Sequence, residues 1–455
     1  MLKKNEIIEL TIEDLTVEGA GIGKHDGMAV FVPKALPGEY VRVKVIRLTK
    51  SYAAARLLDI IEHSPERIEP FCGVFEKCGG CTLQHLSYKG QLEYKARYIK
   101  ECFKRLGGID IETPEVVAAG NIRDYRNKAS FPVAAADGKI RAGFYAPRSH
   151  RLVSAVCPIQ KQPVNDIKEA VLEWAKKEGV TAYDETSGSG TLRHIIGRQS
   201  SNGEIMAGLI VKGSINEKSL ASALKGMPGL KSVVVNRNDK NTNAILGDVE
   251  CAISGEGYLT ETFGGLSFRA GLSSFLQVNH EQAEKLYKLT IDYADISKSD
   301  VVFDLYCGIG TLSLLAACKA KRVLGIEYVN SAAENAKENA RINGIDNAEF
   351  IAGDAERMLD EGVKLAGEPQ IVILDPPRKG CDRALVEKLI SLAPCKIVYV
   401  SCNPSTLARD ASLLSKAGYN IKAVKGVDMF PHTTHVECVV LITRVDKQKA
   451  QNDYK

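Results

Sequence analysis

The fold of this chain is decided by the stretch Val301-Val302-Phe303-Asp304-Leu305-Tyr306-Cys307-Gly308-Ile309-Gly310, where an apolar strand-like run leads into a glycine-containing loop. A helix-like run over residues 311–319 follows the loop. Glycines between a strand and a helix let a ligand approach the backbone amides closely. Helix-like and strand-like runs alternate from residue 280 to residue 443. This rhythm predicts a doubly wound α/β domain with its functional loops at the carboxyl ends of the strands.

Two further loops follow apolar runs in the same segment. Asp375-Pro376-Pro377-Arg378-Lys379-Gly380 comes after residues 371–374, and Ser401-Cys402-Asn403-Pro404 comes after residues 396–400. The three loops therefore predict one active site. A cysteine that opens a polar turn before a helix is well placed to act as a nucleophile. The alternative is a packed core cysteine, which is commoner for a lone cysteine after a strand.

Acidic residues after the next two strands add a cofactor signal. Glu327 is placed to accept hydrogen bonds from two ribose hydroxyls, and Asp354 can accept one from an adenine amine. A dinucleotide fingerprint would need a glycine where Ser313 stands. A glycine loop and two acids on successive strands resemble class I S-adenosylmethionine methyltransferases, with NAD binding as the competing interpretation.

The length of 455 residues predicts two or three domains. Alternating apolar residues and the turn Asp26-Gly27 predict a small β-barrel over residues 1–61, a class that commonly binds nucleic acid. Gly19, Gly21 and Gly23 resemble a dinucleotide loop only superficially, because a hairpin follows them. An α+β central domain is predicted over 62–265, with a helix over about 92–106 that can pack on the catalytic domain. The catalytic domain is predicted over 266–446, and 447–455 form a polar tail.

Composition and charge indicate the cellular location of the protein and the chemical class of its partner. No apolar run approaches the roughly 20 residues that span a bilayer, and the first residues have no signal-peptide pattern, so we expect a cytoplasmic protein without a membrane anchor. The twelve cysteines are then thiols, ligands or nucleophiles. Between Gln84 and Lys161 there are 14 Lys or Arg against 7 Asp or Glu. This local excess favours a surface that faces a polyanion, and a solvated basic face without a partner is the alternative.

A metal site is indicated by four cysteines. Cys72, Cys78 and Cys81 are close in sequence, and Cys157, before a proline, comes 76 residues after the last of them. Four thiolates suit zinc and a cubane iron–sulfur cluster equally by number. Zinc ribbons usually contribute two close pairs, so three clustered cysteines and a distant fourth favour [4Fe–4S]. Zinc and unmetallated thiols are the alternatives.

Four sequence motifs together resemble those of the RNA uracil-C5 methyltransferases. They are Gln277-Val278-Asn279, Asp375-Pro376-Pro377-Arg378, Ser401-Cys402-Asn403-Pro404 and the closing run His435-Val436-Glu437-Cys438-Val439-Val440. The resemblance covers nearly the whole chain. The first 61 residues resemble a TRAM domain through Gly19 to Gly23, Phe31-Val32-Pro33 and Leu36-Pro37-Gly38-Glu39. The central part resembles the iron–sulfur-bearing domain of the members that act on 23S ribosomal RNA.

The resemblance implies methyl transfer from S-adenosylmethionine to C5 of a uridine in 23S ribosomal RNA. Cys402 matches the nucleophile that attacks C6, and Glu437 matches the base that removes the C5 proton. Because a thiolate is required, we expect the pKa of Cys402 to lie below its free value of about 8.5. The cofactor residues are expected to be Gln277, Tyr306, Gly308, Glu327, Asp354 and Asp375. The [4Fe–4S] ligands are expected to be Cys72, Cys78, Cys81 and Cys157.

RNA contacts are predicted beside the site. C5 and C6 of a stacked base are inaccessible, so the uridine must be flipped out or presented in a loop. Arg126 and Lys128 offer phosphate contacts, with Tyr125 as an interleaved aromatic residue, and Phe275 is predicted to line the base pocket.

Two other functions stay open from the sequence. One is a transfer-RNA T-loop uridine methyltransferase, against which the leading barrel and the four cysteines argue. The other is a non-catalytic RNA-binding protein on the same fold, against which Cys402 and Glu437 argue.

No protein partner is inferred and a monomer is expected. The remaining cysteines are predicted to pack in the interior, namely Cys102, Cys251, Cys307, Cys318, Cys381, Cys395 and Cys438.

Overall fold

A computed structural model describes residues 2–136, 138–242 and 244–445, and the predicted tail over 447–455 lies outside this part. Among the helices that it describes, none has the length and apolar character needed to cross a membrane.

The amino-terminal part is a closed five-stranded barrel with the strand order β1-β2-β3-β5-β4. Its strands are β1 (Ile7–Leu15), β2 (Ala20–His25), β3 (Met28–Pro33), β4 (Tyr40–Leu48) and β5 (Tyr52–Glu62). Alternate residues such as Val41, Val43 and Val45 are fully buried and fill the barrel. Gly23 is required by close packing, because a Cβ there would lie 2.4 Å from the Thr11 carbonyl oxygen. The predicted small barrel is confirmed.

The central part contains a six-stranded sheet with the order β14-β13-β12-β11-β7-β8. These strands are β7 (Lys128–Ala136), β8 (Lys139–Ala142), β11 (Leu192–Gln199), β12 (Ile205–Val211), β13 (Leu230–Arg237) and β14 (Val249–Ser254). Helices α2 (Gln162–Lys177) and α3 (Glu217–Leu224) contribute Trp174 and Leu220 to its core. Two small hairpins complete this part, with strands β9 (Phe144–Tyr145), β10 (Leu152–Val153), β15 (Tyr258–Phe263) and β16 (Leu266–Gly271).

The carboxyl-terminal part is a doubly wound α/β sheet, as predicted. Its eight strands have the order β19-β18-β17-β20-β21-β23-β22-β6. They are β6 (Val116–Val117), β17 (Val301–Leu305), β18 (Arg322–Glu327), β19 (Ala348–Ala352), β20 (Ile371–Leu374), β21 (Lys396–Ser401), β22 (Tyr419–Val427) and β23 (Glu437–Arg444). The helices are α4 (His280–Ala294), α5 (Thr311–Ala317), α6 (Asn330–Ile342), α7 (Ala355–Ala366), α8 (Arg383–Leu392) and α9 (Pro404–Lys416). Strands β17 to β21 are parallel, and β23 runs antiparallel to both of its neighbours.

An earlier segment of the chain joins this sheet. Helix α1 (Tyr88–Cys102) is capped by Ser87 and continues into a π-helical turn, Phe103–Gly107. Ile99 and Phe103 belong to the core that contains Phe303 and Tyr399 of the sheet. Strand β6 extends the sheet edge beside β22. Residues 88–117 therefore contribute to the hydrophobic core of the methyltransferase sheet, although they belong to the predicted central domain over 62–265. The domain boundary at residue 265 stays a prediction.

Candidate active site

The two catalytic candidates and one cofactor candidate meet at one edge of the sheet. Cys402 follows β21, and Glu437 begins the antiparallel strand β23, in which Cys438 lies opposite Ser401. This register places Cys402 beside Glu437. Asp375 follows β20, which is the other neighbour of β21. All three side chains line one cavity of about 1310 Å³.

Burial controls the ionisation of this group. It raises the pKa of Asp375 to about 7. Burial, with a smaller contribution from the Asp375 carboxylate, raises the pKa of Glu437 to about 8, and the Arg378 guanidinium opposes the rise. Burial and the Glu437 carboxylate raise the pKa of Cys402 to about 11, again against Arg378. The expectation of an acidic thiol is therefore wrong for the free protein, because a partly dehydrated sulfur beside two carboxylates disfavours the thiolate.

The glycine loop after β17 borders the same cavity. Tyr306 has a φ of 71°, and Gly308 and Gly310 have φ values of 55° and 85°. A positive φ at a tyrosine is uncommon and marks a backbone held in place by its surroundings. Ser313 donates a hydrogen bond to Asp304 at 2.5 Å. This buried contact gives a structural reason for serine at the position where a dinucleotide fingerprint has glycine.

The remaining cofactor candidates surround this loop. Glu327 accepts hydrogen bonds from the amides of Gly308 at 2.9 Å and Val329 at 2.8 Å. Asp354 caps α7 by accepting from the Glu356 amide at 3.1 Å. Six predicted residues line the cavity, namely Gln277, Tyr306, Gly308, Glu327, Asp354 and Asp375. Carboxylates and backbone amides around a glycine loop fit a ligand that carries ribose hydroxyls and an amino group.

The four cysteines predicted to bind a metal border the same cavity. Cys72, Cys78, Cys81 and Cys157 all line it. Burial raises the pKa of Cys81 to about 12, and the nearby thiolates of Cys157, Cys78 and Cys72 act in the same direction. Gln160 also lines this cavity and is buried, and its Oε1 has no hydrogen-bond partner among the described residues.

The cysteines are near one another without forming a compact site for one ion. Within the described ranges, no three His, Cys, Asp or Glu side chains are grouped so that they could hold a metal ion. Thiolates on a single zinc would stand about 3.8 Å apart, as follows from Zn–S bonds of about 2.3 Å in a tetrahedron. A cubane separates its four cysteines further, because each binds a different iron. The described residues do not place the thiols as ligands of either group, and the cluster stays a prediction.

Comparison with known proteins identifies the family. The model of the tRNA (Uracil-5-)-methyltransferase family matches residues 87–445, and the model of the TRAM domain matches residues 2–58. This chain belongs to the tRNA (uracil-5-)-methyltransferase family. The family and the TRAM domain predicted from the sequence are confirmed.

Relatives of this methyltransferase cover nearly all of its length. An uncharacterized RNA methyltransferase of Halalkalibacterium halodurans is 44% identical over 97% of this chain and 98% of the relative. One from Clostridium acetobutylicum is 43% identical over 98% of this chain and 99% of the relative. A solved structure, the Pyrococcus abyssi tRNA (uracil-54, C5)-methyltransferase in complex with S-adenosyl-L-homocysteine, has a TM-score of 0.79 and 27% identity. That match covers 96% of this chain and 100% of the other.

The predicted RNA contacts of this methyltransferase have different surroundings. Arg126 lines the cavity, and Phe275, 72% exposed, also borders it. The Lys128 ammonium instead donates to the Leu272 carbonyl at 3.0 Å, and burial lowers its pKa to about 7. Lys128 thus fixes the loop that carries Phe275, and its contact with RNA stays a prediction. Tyr125 is buried and donates to the Pro431 carbonyl at 3.1 Å, so the prediction of an interleaved RNA-facing aromatic residue is wrong.

Residues 428–435, here called the anchor segment, lead into Glu437. Lys95 of α1 and Asp428 form an ion pair at 2.5 Å in which both side chains are fully buried. The His432 carbonyl accepts from the amides of Thr82 and Leu83, both at 2.9 Å. The segment that carries the clustered cysteines is therefore tied directly to the segment that positions Glu437.

Sequence reasoning missed these buried partners and misplaced some cysteines. Lys95 and Asp428 are separated by 333 positions, and no local pattern marks them as a pair. Arg378 received no role from the sequence, yet its guanidinium lowers the pKa of both Cys402 and Glu437 against the effect of burial. Three cysteines predicted to pack in the interior are exposed, namely Cys251, Cys318 and Cys395, so that prediction is wrong for them.

Proposed function

We propose that this methyltransferase transfers the methyl group of S-adenosylmethionine to C5 of a uridine in 23S ribosomal RNA, with Cys402 as nucleophile and Glu437 as base. The observation that carries the proposal is the meeting of Cys402, Glu437 and Asp375 in the cavity that the glycine loop also borders. A thiol, a base and a cofactor loop on one cavity suit the chemistry that uracil C5 requires.

The chemistry explains the choice of residues. C5 of uracil is a weak nucleophile, and attack of the Cys402 thiolate on C6 moves the C5–C6 π electrons towards O4. The resulting enolate attacks the methyl group through C5. Glu437 then accepts the C5 proton, the C5–C6 double bond forms again, and the bond from C6 to sulfur breaks to release the thiolate. Asp375, between Cys402 and the cofactor loop, is placed to orient the uracil edge.

The cofactor is held by residues around the glycine loop. S-adenosylmethionine supplies the electrophilic methyl group. Glu327 would bind the ribose hydroxyls, Asp354 would bind the adenine amine, and the Gly308 backbone would permit close approach. Gln277 and Tyr306 close the side of the site that faces the base. Cys72, Cys78, Cys81 and Cys157 would hold a [4Fe–4S] cluster, whose role would be structural because methyl transfer needs no electrons.

A second substrate is supported by the solved relative. That protein is described as a tRNA (uracil-54, C5)-methyltransferase, and its match covers 96% of this chain. A match of this extent includes the barrel, so the barrel does not distinguish an enzyme that acts on ribosomal RNA from one that acts on transfer RNA. A T-loop uridine of transfer RNA is therefore the alternative substrate.

Mapping of methylated uridines tests both substrates. We expect a deletion strain to lose 5-methyluridine from 23S ribosomal RNA and to regain it with the wild-type gene but not with the Cys402→Ala variant. Mass spectrometry of nuclease fragments locates the site. Loss from transfer RNA alone would establish the alternative substrate. Unchanged 5-methyluridine in both RNAs would overturn the proposed function.

The rate of product release is expected to rise with pH. Glu437 must be a carboxylate to accept the C5 proton, and its pKa is about 8. Raising the pH from 6 to 9 therefore increases the fraction of competent base, and decay of the RNA–protein adduct should accelerate about tenfold or more. Single-turnover quench experiments measure this decay. A decay rate that falls over the same range would contradict the role of Glu437.

The cluster prediction is tested by metal analysis. Protein purified without oxygen should be brown and contain about four iron and four sulfide per chain, as expected for a cubane on four thiolates. Cys81→Ser should bleach the protein, and RNA binding or solubility should fall. Cofactor affinity should change little, because none of the four cysteines belongs to the glycine loop that follows β17. One zinc per chain without sulfide would replace the cluster with a zinc site.

A further inference from the structure

The anchor segment lies between β22 and β23 and has no regular secondary structure of its own. Val427, the last residue of β22, pairs with Glu437, the first residue of β23. The segment therefore leaves the sheet beside the base and returns to the sheet at the base. A shift in its path would move Glu437.

The backbone of the anchor segment is fixed by contacts with distant parts of the chain. All five carbonyls from Asp428 to His432 accept hydrogen bonds from outside the segment. The donors, in the order of these carbonyls, are the side chains of Gln282 at 3.1 Å, Asn279 at 3.2 Å, Lys95 at 3.2 Å and Tyr125 at 3.1 Å, and the backbone amides of Thr82 and Leu83, both at 2.9 Å. A buried segment outside helices and strands needs such partners for its polar backbone. This row of donors holds the segment in one path.

Helix α1 holds the first half of the segment. The Lys95 ammonium donates to the Asp428 carboxylate at 2.5 Å and to the Phe430 carbonyl at 3.2 Å. Gln91, about one turn earlier on the helix, accepts from the His432 amide at 2.8 Å. Lys95 thus holds two residues of the segment at once, and the first of them directly follows the cross-strand partner of the base.

Lys95 acts on the base through the backbone rather than through its charge. Burial raises the pKa of Glu437, and the charges that modify this rise are those of Asp375 and Arg378. The charge of Lys95 is compensated locally, because burial lowers the pKa of this lysine and the Asp428 carboxylate opposes the decrease. Lys95 therefore determines where the base lies.

The nucleophile has separate supports. Asn403, which directly follows Cys402, donates from its side chain to the Arg378 carbonyl at 2.9 Å. The Asn403 side chain also caps α9 by accepting from the Ser405 amide at 3.1 Å. Neither contact involves the anchor segment, so a change in that segment reaches the base by a path that bypasses the thiol.

We propose that Lys95 is a positioning residue for removal of the C5 proton, because it holds Glu437 at the target carbon through the anchor segment. This role rests on the proposed function. In that step the carboxylate takes the proton, the electrons of the C5–H bond form the C5–C6 double bond, and the C6–S bond breaks to release the thiolate. Formation of the C6–S bond comes earlier and does not use the base. A small displacement of Glu437 therefore slows release and leaves the attack unchanged.

The test compares two variants that share a neutral residue at position 428. Asp428→Asn keeps an oxygen acceptor for Lys95, so both hydrogen bonds of the lysine can remain. The double variant Lys95→Met, Asp428→Asn removes both bonds without leaving a buried unpaired carboxylate, which by itself would destabilise the fold. Lys168→Met is the matched control, because Lys168 is also buried and donates to the Ala155 carbonyl at 2.8 Å in the central part.

The first measurement needs no RNA. Amide hydrogen exchange in peptides that cover residues 428–437 should be about tenfold faster in the double variant than in Asp428→Asn, since the segment loses two of its hydrogen bonds. Lys168→Met should exchange at the wild-type rate over the same residues. Equal exchange in the double variant and in Asp428→Asn would overturn the positioning role, whichever RNA is the substrate. Failure of the double variant to fold would assign Lys95 to stability alone and would also overturn it.

The second measurement separates the two steps of a turnover. At saturating RNA, adduct formation with 5-fluorouridine RNA should stay within about threefold of wild type in all three variants. Decay of the adduct on unmodified RNA should slow about 100-fold in the double variant alone, the effect expected of a displacement of about 1 Å.

The other outcomes of this measurement count against the proposal. A parallel loss of formation and decay in the double variant would show a general disturbance of the site and overturn the role of Lys95. An equal slowing of decay in Asp428→Asn would assign the effect to the carboxylate and overturn it as well. Failure of the wild-type protein to form an adduct would instead refute the proposed function.

Discussion

Cys402→Ala is expected to abolish methyl transfer, with a loss of at least about 10⁴-fold in turnover, because no other group can form the bond to C6. Without that bond the electrons of the ring are not available at C5. Transfer of labelled methyl groups from S-adenosylmethionine to RNA measures the loss. Affinity for the cofactor, measured by calorimetry, should change less than about twofold, since the thiol follows β21 whereas the glycine loop follows β17.

The matched control is Cys395→Ala, which removes an exposed thiol before the first residue of β21. This variant should keep wild-type turnover, so that a general effect of cysteine loss is excluded. Normal turnover in Cys402→Ala would remove this residue from the mechanism. Loss of both turnover and cofactor binding would indicate a disturbed fold, and circular dichroism would distinguish that case.

The parts of the site predicted from sequence are those with local signals. Apolar runs that end in Asp375-Pro376-Pro377 or Ser401-Cys402-Asn403 mark strand ends, and parallel strands place such ends on one edge. Glu437 was found only through family resemblance. Its position depends on β23 running antiparallel to β21, which pairs Ser401 with Cys438, 37 positions later in the chain. No periodicity in the sequence indicates that register.

The errors have a common physical cause. The sequence predicts Tyr125 as an RNA-facing aromatic residue, yet its hydroxyl donates a hydrogen bond to the Pro431 carbonyl inside the protein. The sequence predicts an acidic thiol at Cys402, yet burial and the carboxylates of Glu437 and Asp375 raise its pKa to about 11. Burial depends on the tertiary neighbours of a residue, and charge effects depend on burial. Neither can be obtained from the residues next to it in the chain.

Glu437→Gln is expected to stall the reaction after methyl transfer and to accumulate a methylated RNA–protein adduct. Attack by the thiolate does not need this base, and an amide resembles the protonated carboxyl that predominates below the Glu437 pKa of about 8. Once C5 carries both the methyl group and a proton, however, the thiolate cannot leave until that proton is removed. Release should slow by about 10³-fold, within the range that general bases contribute.

Denaturing gel electrophoresis with doubly labelled RNA and cofactor provides the measurement for Glu437→Gln. A slowly migrating band should carry both labels, and its decay should no longer accelerate between pH 6 and pH 9. The double variant Cys402→Ala, Glu437→Gln is the control and should form no band, because the adduct requires the thiol. A band with the RNA label alone would place Glu437 before methyl transfer. If no band forms and activity is lost, Glu437 has a role in the attack itself. A band that carries both labels supports the proposed role, because only a base used after methyl transfer leaves an adduct that is both methylated and trapped.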